Sequence, residues 1–386
     1  MARHELWELK QMQSLSLQAK IQMTRLRIRS WVDEFGEDGV YVSFSGGKDS
    51  TVLLDIVRKD YPNIEAVFVN TGLEYPSVRQ FALSKENVTE LRPTINFRDV
   101  IIKYGYPIIS KEVSQTVYEA QISVRSGNGK YTYRMKKLDG VSTDKEGNLS
   151  SYNIPQWKFL LDAPFNISHK CCDVMKKNPA KKYEKDNESN GIIATMADES
   201  RLRQEKWLKY GCNAFDLKRP QSNPMSFWTE QDVLTYIHTY NLTIADAYGQ
   251  VVRDWDKDGL TEGQIDFYEK LSDIDPSCKL PNYSYKTTGC KRTGCIFCGF
   301  GINQDRQRFV RLSEQEPKLC DYVMRGGEFS DSGMWQPSKD GLGYWFVLEW
   351  LNVHGNLKIG IPNRDYYMDK YCLEKNGKYL EENYKK

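Results

Sequence analysis

The run Val40-Tyr41-Val42-Ser43-Phe44, followed at once by Ser45-Gly46-Gly47-Lys48-Asp49-Ser50, constrains the fold more than any other part of the 386-residue chain. The β-branched and aromatic residues predict a strand. The two glycines predict a turn that side chains would obstruct. Thr51 to Arg58 then predicts a helix. A phosphate needs closely spaced backbone N–H donors, and a helix N-terminus adds its positive end. Gly46 and Gly47 let the backbone approach; Ser45, Ser50 and Thr51 offer hydroxyls; Lys48 offers a point charge. This is not a Walker A loop, because Asp49 follows Lys48 and the upstream glycine is missing. Two glycines alone also suit an ordinary βα turn, but the full run points to phosphate binding.

The surrounding pattern extends this into a parallel α/β sheet. Ile64 to Asn70 predicts a second strand, Pro76 to Lys85 a helix, and residues 191–196 a later strand. Residues 5–35 carry an apolar face of helical period. A polar, glycine-punctuated stretch, 126–151, reads as an inserted hairpin or loop. Trp228 to Tyr240 predicts a helix with Thr229 as its N-cap. The expected organisation is an N-terminal helical segment (1–35), a nucleotide-binding α/β domain (36–249), and a region (250–386) holding an inserted segment, a cysteine pair and a C-terminal extension.

Charge narrows the function classes. With 54 Lys+Arg against 52 Asp+Glu, the chain is neither a basic nucleic-acid coat nor an acidic solvating protein. At 40% hydrophobic residues it can bury a sizeable core. No apolar run approaches the ~20 residues of a membrane span, and no secretory h-region is visible. A cytoplasmic setting is expected. Nine cysteines cannot all pair within one chain, and in a reducing compartment clustered cysteines point to metal or redox chemistry. Cys171-Cys172 and Cys295-x-x-Cys298 supply four thiolates, with Cys290 a fifth candidate. Thiolates hold zinc or an iron–sulfur cluster, and spacing leaves both open. Cys212, Cys278, Cys320 and Cys372 read as ordinary cysteines.

Glu199, Ser200 and Arg203 follow a strand end, where open α/β sheets place ligand groups. The Arg203 guanidinium suits a phosphate or sulfonate, though Glu199 and Arg203 also have i,i+4 ion-pair spacing. Asp49 is placed to orient the loop or help hold Mg²⁺. His169 is a candidate donor or general base beside the tandem cysteines, against the plainer reading of a polar side chain. Asp254, Asp256, Asp258 and Gly259 imitate a calcium loop, but Ile265 stands where the bidentate Glu is required; Thr261 with Gln264 more simply caps a helix. Arg125, Lys130, Arg134, Lys136 and Lys137 interleave with Tyr131 and Tyr133. Lys291, Arg292, Arg306, Arg308 and Arg311 flank the cysteine pair. Both sets leave nucleic acid open as a partner, with a solvated surface the simpler reading of the first.

These motifs carry a resemblance. Residues 42–50 are similar to the PP-loop of the ATP pyrophosphatase (adenine nucleotide alpha hydrolase-like) superfamily. Asn70-Thr71-Gly72-Leu73-Glu74-Tyr75, Lys170-Cys171-Cys172 with Lys176, Lys177 and Pro179, Glu199-Ser200-Arg201-Leu202-Arg203, Asn223-Pro224 with residues 228–233, and Gly294-Cys295-Ile296-Phe297-Cys298 resemble, in order, motifs of the phosphoadenosine phosphosulfate (PAPS) reductase family. The resemblance implies a Rossmann-like parallel sheet with insertions and a cysteine-rich C-terminal extension. It implies an adenine nucleotide, ATP or PAPS, held by Ser43, Phe44, Ser45, Gly46, Gly47, Lys48, Asp49, Ser50, Thr71, Gly72, Glu199, Ser200 and Arg203. Lys48, Asp49 and Arg203 would be catalytic, with Mg²⁺. It favours a [4Fe–4S] cluster on four of Cys171, Cys172, Cys290, Cys295 and Cys298, zinc being the alternative.

Two departures matter. Members that reduce PAPS or APS usually lack the loop lysine and carry a C-terminal Glu-Cys-Gly thiol. Here Lys48 is present, and the late cysteine, in Tyr371-Cys372-Leu373-Glu374, does not match. The loop looks more like that of members that cleave ATP between the α and β phosphates, such as the sulfur-inserting enzyme of DNA phosphorothioation. The expected function is ATP cleavage or adenylation coupled to sulfur transfer, with a sulfur donor or thiol reductant protein as partner. The alternatives are thiol-dependent reduction of PAPS or APS to sulfite, and a nucleic-acid-binding accessory protein that senses a nucleotide.

Overall fold

The computed structural model describes residues 4–125, 132–255, 260–274, 278 and 280–373. Lys130, Tyr131, Asp256, Asp258, Gly259 and the side chains of Arg125 and Cys372 lie outside the described residues. In chain order the elements are α1 (Leu6–Gln13), α2 (Leu17–Phe35), β1 (Val40–Ser43), α3 (Lys48–Asp60), β2 (Ala66–Val69), α4 (Pro76–Leu83), β3 (Val88–Leu91), α5 (Phe97–Tyr104), β4 (Ile108–Ile109), α6 (Lys111–Arg125) and α7 (Tyr133–Asp139). There follow α8 (Asn178–Asp186), β5 (Asn190–Ile193), α9 (Arg201–Tyr210), β6 (Asn213–Ala214), β7 (Gln221–Ser222), α10 (Glu230–Thr239), β8 (Val251–Trp255), α11 (Glu262–Ile274) and β9 (Tyr283–Thr287). The last are β10 (Gly299–Phe300), α12 (Arg308–Gln315), α13 (Pro317–Met324), β11 (Glu328–Phe329), β12 (Trp335–Gln336), α14 (Tyr344–Gly355) and α15 (Arg364–Met368).

Two compact units are interleaved along the chain. The first comprises residues 1–70, 74–92 and 180–294; the second comprises 71–73, 93–179 and 295–386.

The first unit is built on a six-stranded sheet in the order β3-β2-β1-β5-β7-β6. Its pairings are parallel except β6 with β7. Val40, Tyr41 and Val42 of β1 are all buried, as a strand covered on both faces requires. This is the α/β architecture with a mainly parallel sheet that the sequence predicts. β1 lies between β2 and β5, so the loop after Ser43 starts from the middle of the sheet.

The N-terminal helical pattern is split in two. Ser14 donates its hydroxyl to the Gln11 carbonyl, and Ser16 caps α2 by accepting the Ala19 N–H. Serines bonded to local backbone in this way end one helix and start the next. α10 starts at its expected cap: Thr229 Oγ1 accepts the Asp232 N–H at 3.3 Å. Asp232 also receives Lys20 Nζ on both oxygens, at 2.8 and 2.7 Å. Lys20 is 2% exposed, and that carboxylate is its ion-pair partner.

β8 and β9 form an antiparallel ribbon. Gln231 of α10 holds it by bonding both the carbonyl and the N–H of Tyr285. α11 starts with reciprocal bonds between Thr261 and Gln264, the predicted cap. Asp254 pairs with Lys286, which removes it further from any calcium loop.

In the second unit β4 pairs in parallel with β10, and β11 pairs with β12 as a small antiparallel ribbon. Its core is aromatic. Trp335 and Trp345 donate their indole N–H groups to the carbonyls of Gly343 and Gly326, and Tyr106 donates to that of Leu342. The stretch predicted as a hairpin or loop contains helix α7. Thr132 caps it by accepting the Met135 N–H, and Gly140 closes it at φ 76°. A short bridge between Thr143 and Leu149 follows. Gly140 ends a helix instead of preventing one. No helix among the described residues is long and apolar enough to cross a membrane.

Removing Lys20 takes the counter-charge from the part-buried Asp232 carboxylate, which keeps only its Thr229 donors. Lys20→Ala should therefore lower the unfolding free energy by about 3 kcal/mol in urea titrations. A loss under about 1 kcal/mol, the worth of an exposed pair, would contradict this assignment.

Candidate functional site

The glycine loop leaves the C-terminal end of β1, where open parallel sheets present ligand sites. Gly46 sits at φ +70°, and a Cβ there would stand 2.8 Å from the Val78 carbonyl oxygen and 3.1 Å from Ala82 Cβ. Only glycine fits both the conformation and the space. Gly47 is the N-cap of α3, so Lys48 is its first helical residue.

The loop's hydroxyls brace its own backbone. Ser50 Oγ accepts the Ser45 N–H at 3.1 Å and donates to the Gly47 carbonyl at 2.9 Å. Thr51 Oγ1 donates to the same carbonyl at 2.9 Å. Ser45 Oγ accepts the Gly47 N–H at 3.3 Å. Phe44, predicted among the nucleotide-binding residues, places its side chain in the hydrophobic core. Ser43 closes β1, in register with Val67 and Ile193.

Lys48 is 4% exposed. Its ammonium lies 3.3 Å from Glu230 and 3.5 Å from Asp49, and it reaches the Lys291 carbonyl at 3.5 Å. Burial opposes the charge, but Asp49, Tyr248 and Glu230 outweigh it and hold the ammonium above its ordinary range. Burial pushes the Asp49 carboxyl up; Lys48 opposes this, and Glu199 and Glu230 add to it. Asp49 Oδ1 is buried with no hydrogen-bond partner. The backbone N–H of Lys48 donates to Tyr248 Oη at 3.1 Å.

Glu199, Ser200 and Arg203 stand at the start of α9. Glu199 accepts the Met196 N–H and pairs with Arg203, while Ser200 caps the helix. The i,i+4 ion pair is thus present, with Arg203 on the surface and its charge matched locally. Thr71 and Gly72 fall in the second unit, where Thr71 Oγ1 accepts the Leu73 N–H.

The thiols divide between units. Cys290 belongs to the first, where its N–H donates to the Ala247 carbonyl. Cys171, Cys172, Cys295 and Cys298 all belong to the second. Cys171 Sγ donates to Cys172 Sγ at 3.9 Å. That bond, with Lys111 and Lys176 nearby and against burial, lowers the Cys172 thiol to about 6, and the same bond drives Cys171 up. Cys298 and Cys295 nearby add to the rise at Cys171. Burial and Cys295 push Cys298 up to about 12. Cys298 Sγ accepts the Phe300 N–H at 3.4 Å, and Arg308 donates to the Cys295 carbonyl at 2.6 Å. Just beyond, the Gly301 N–H bonds Ile109, whose φ of +62° is strained for a β-branched residue. His169 is buried, and its Nδ1 has no hydrogen-bond partner. Among the described residues no three His, Cys, Asp or Glu side chains converge closely enough to hold a metal ion.

Residues 39–107 match the family model described as the phosphoadenosine phosphosulfate reductase domain. Over that stretch the chain is similar to the PAPS reductase family. The matched stretch contains the glycine loop and stops before Glu199 and the cysteines. Among relatives, sulfate adenylyltransferase subunit 2 of Geobacter metallireducens is 26% identical, covering 78% of this chain and 90% of that protein. Its counterpart from Vibrio cholerae is 26% identical over 70% and 79%. A solved phosphate complex of phosphoadenylyl-sulfate (PAPS) reductase from Candida auris aligns with a TM-score of 0.32 at 12% identity, covering 63% of this chain and 90% of that one. That likeness is too loose to place any residue.

Sequence reasoning did not find Tyr248, nor Glu230 as the partner of Lys48. Glu230 stands in a recognised motif, but nothing local says which cation it faces. Tyr248 lies 200 positions from Lys48 with no motif around it.

Asp49 supplies a pH test. A carboxyl with a raised pKa costs stability while it is ionised, and the cost is relieved as pH falls and it protonates. Asp49→Asn should therefore melt above the wild type at neutral to mildly alkaline pH. The gap should close as pH drops through the carboxyl's titration. A variant that melts lower at every pH would show that the Lys48 pairing outweighs burial.

Proposed function

We propose that the chain binds an adenine nucleotide, ATP or PAPS, at the loop of residues 45–50, and that it cleaves ATP between the α and β phosphates in sulfur chemistry. The observation that carries this reading is the placement of Lys48: a buried ammonium on the first turn of a helix, after a glycine turn, at the C-terminal end of a central parallel strand. The relatives support the reaction class, being named for adenylyl transfer to sulfate. In such a transfer an acceptor oxygen attacks the α-phosphorus, the bond to the β-phosphate oxygen breaks, and pyrophosphate leaves with the electron pair.

The residues present suit the leaving group. Lys48 offers a cation and the α3 N-terminus offers N–H donors, which stabilise charge that builds on pyrophosphate. Asp49 Oδ1, which faces the Lys48 ammonium at 3.5 Å and makes no hydrogen bond, is the carboxylate that would hold Mg²⁺, which is commonly bound by one or two carboxylates together with substrate phosphates. When bound, Mg²⁺ supplies neutralisation of phosphate charge. Arg203 serves as an anion-binding residue only by sharing or leaving Glu199.

The tandem thiols bear on the second cofactor. Four cysteines in one unit, two of them 3.9 Å apart and one carrying a lowered pKa, have the donor chemistry of a thiolate site. Cys171, Cys172, Cys295 and Cys298 are the residues that would hold a [4Fe–4S] cluster, or zinc in its place. A cluster would supply soft sulfur or electron chemistry.

The test is an anaerobic incubation with ATP plus sulfate and, separately, with PAPS plus a thiol reductant, scoring pyrophosphate and sulfite on preparations assayed for iron, sulfide and zinc. Pyrophosphate release is expected, and Lys48→Ala should lower it about a hundredfold or more while circular dichroism stays unchanged. Unchanged release in that variant would refute the role of Lys48. Sulfite without pyrophosphate would overturn the reaction class. Stoichiometric zinc without iron would rule out the cluster.

A further inference from the structure

The donors that would grip a phosphate are already engaged. The Lys48 N–H, the first orphan donor of α3, is given to Tyr248 Oη at 3.1 Å. The Lys48 ammonium is held by Glu230, Asp49 and the Lys291 carbonyl, and lies 5.8 Å from the centroid of the Tyr248 ring. A Cβ on Gly47 would stand 3.2 Å from Tyr248 Oη. The hydroxyl therefore lies in contact distance of the space that the glycine turn leaves open.

Tyr248 is held there from behind. Its hydroxyl bonds Thr293 Oγ1 at 2.7 Å. Its carbonyl accepts the Gly289 N–H at 2.8 Å, and the preceding Ala247 carbonyl accepts the Cys290 N–H at 2.7 Å. Gly289 passes so close that a Cβ there would meet the Ala247 carbonyl oxygen at 2.5 Å. Tyr248 is 3% exposed. All these residues belong to the first unit.

We infer that Tyr248 is a positioning residue that sets phosphate affinity: its hydroxyl stands in for a phosphate oxygen on the Lys48 N–H and is displaced when the ligand binds. This rests on the reading that the loop holds a phosphate. A neutral hydroxyl is a weaker acceptor than an anionic oxygen, so displacement is favourable. Each binding event still loses one hydrogen bond, and Tyr248 Oη keeps Thr293 as its partner. Displacement also frees the loop's contact with the 287–293 segment.

The test compares wild type, Tyr248→Phe and Thr293→Val by calorimetric titration with inorganic pyrophosphate and with ATP. Tyr248→Phe removes the competing acceptor, so both ligands should bind about 3- to 10-fold more tightly. Thr293→Val loosens the same hydroxyl and should tighten binding by a smaller factor. Wild type should also give a tyrosine difference spectrum on binding pyrophosphate that is much reduced in Tyr248→Phe; a merely structural tyrosine would give none. Thermal melts establish folding, and if Tyr248→Phe does not fold, Thr293→Val and the wild-type spectrum decide. Binding by wild type with unchanged or weaker affinity in the folded variants overturns the displacement. Absence of binding in wild type overturns the phosphate reading itself, and this inference with it.

Discussion

The turn at Gly46 sets the terms for the rest of the first unit. The chain must leave a strand buried on both faces, reverse its path, and enter α3 within four residues, Phe44 to Gly47. It does so through a left-handed residue whose missing Cβ leaves room for the Val78 carbonyl. The hydroxyls of Ser45, Ser50 and Thr51 then tie off the turn. Nothing in this arrangement requires a lysine. Lys48 is instead carried, by the helix that begins with it, into a nearly closed environment of acidic side chains.

That environment has a physical cost. Burial penalises the Asp49 carboxylate beside the buried Lys48 ammonium, and the charges of Glu199 and Glu230 add to that penalty. Asp49 Oδ1 is buried with no hydrogen bond and has only the long 3.5 Å contact with Lys48 to offset its lost hydration. Groups left in this state are characteristic of sites that await a ligand. Elsewhere in the unit buried polar groups such as Lys20 on Asp232 and Gln231 on Tyr285 are matched by direct partners.

Much of the scaffold was legible in the sequence because its causes are local. The β1 run, the glycine turn, the Thr229 cap and the Thr261–Gln264 cap each depend on residues within a few positions. The break between α1 and α2 was missed because serine hydroxyls compete with helix backbone only in particular rotamers. Helix α7 is not legible because a glycine reads as a breaker of regular structure, whereas Gly140 is a terminator. The site was less legible. Lys48 and Asp49 could be named, but Glu230, Tyr248 and Lys291 reach Lys48 across roughly 180 to 240 positions, a distance over which sequence pattern says nothing about side-chain contact. The cysteines were nameable as a set, yet Cys290 stands with the first unit and the other four with the second, and no spacing rule expresses that division.

The central claim is that the backbone at the start of α3 holds a nucleotide phosphate. The most direct measurement is the amide chemical shift of Lys48 in ¹⁵N-labelled protein as ATP is added. The account predicts that this amide, with those of Gly47 and Asp49, moves further than the sheet amides of Val67 and Ile192. Saturating ATP binding that leaves the Lys48 amide unmoved would contradict it.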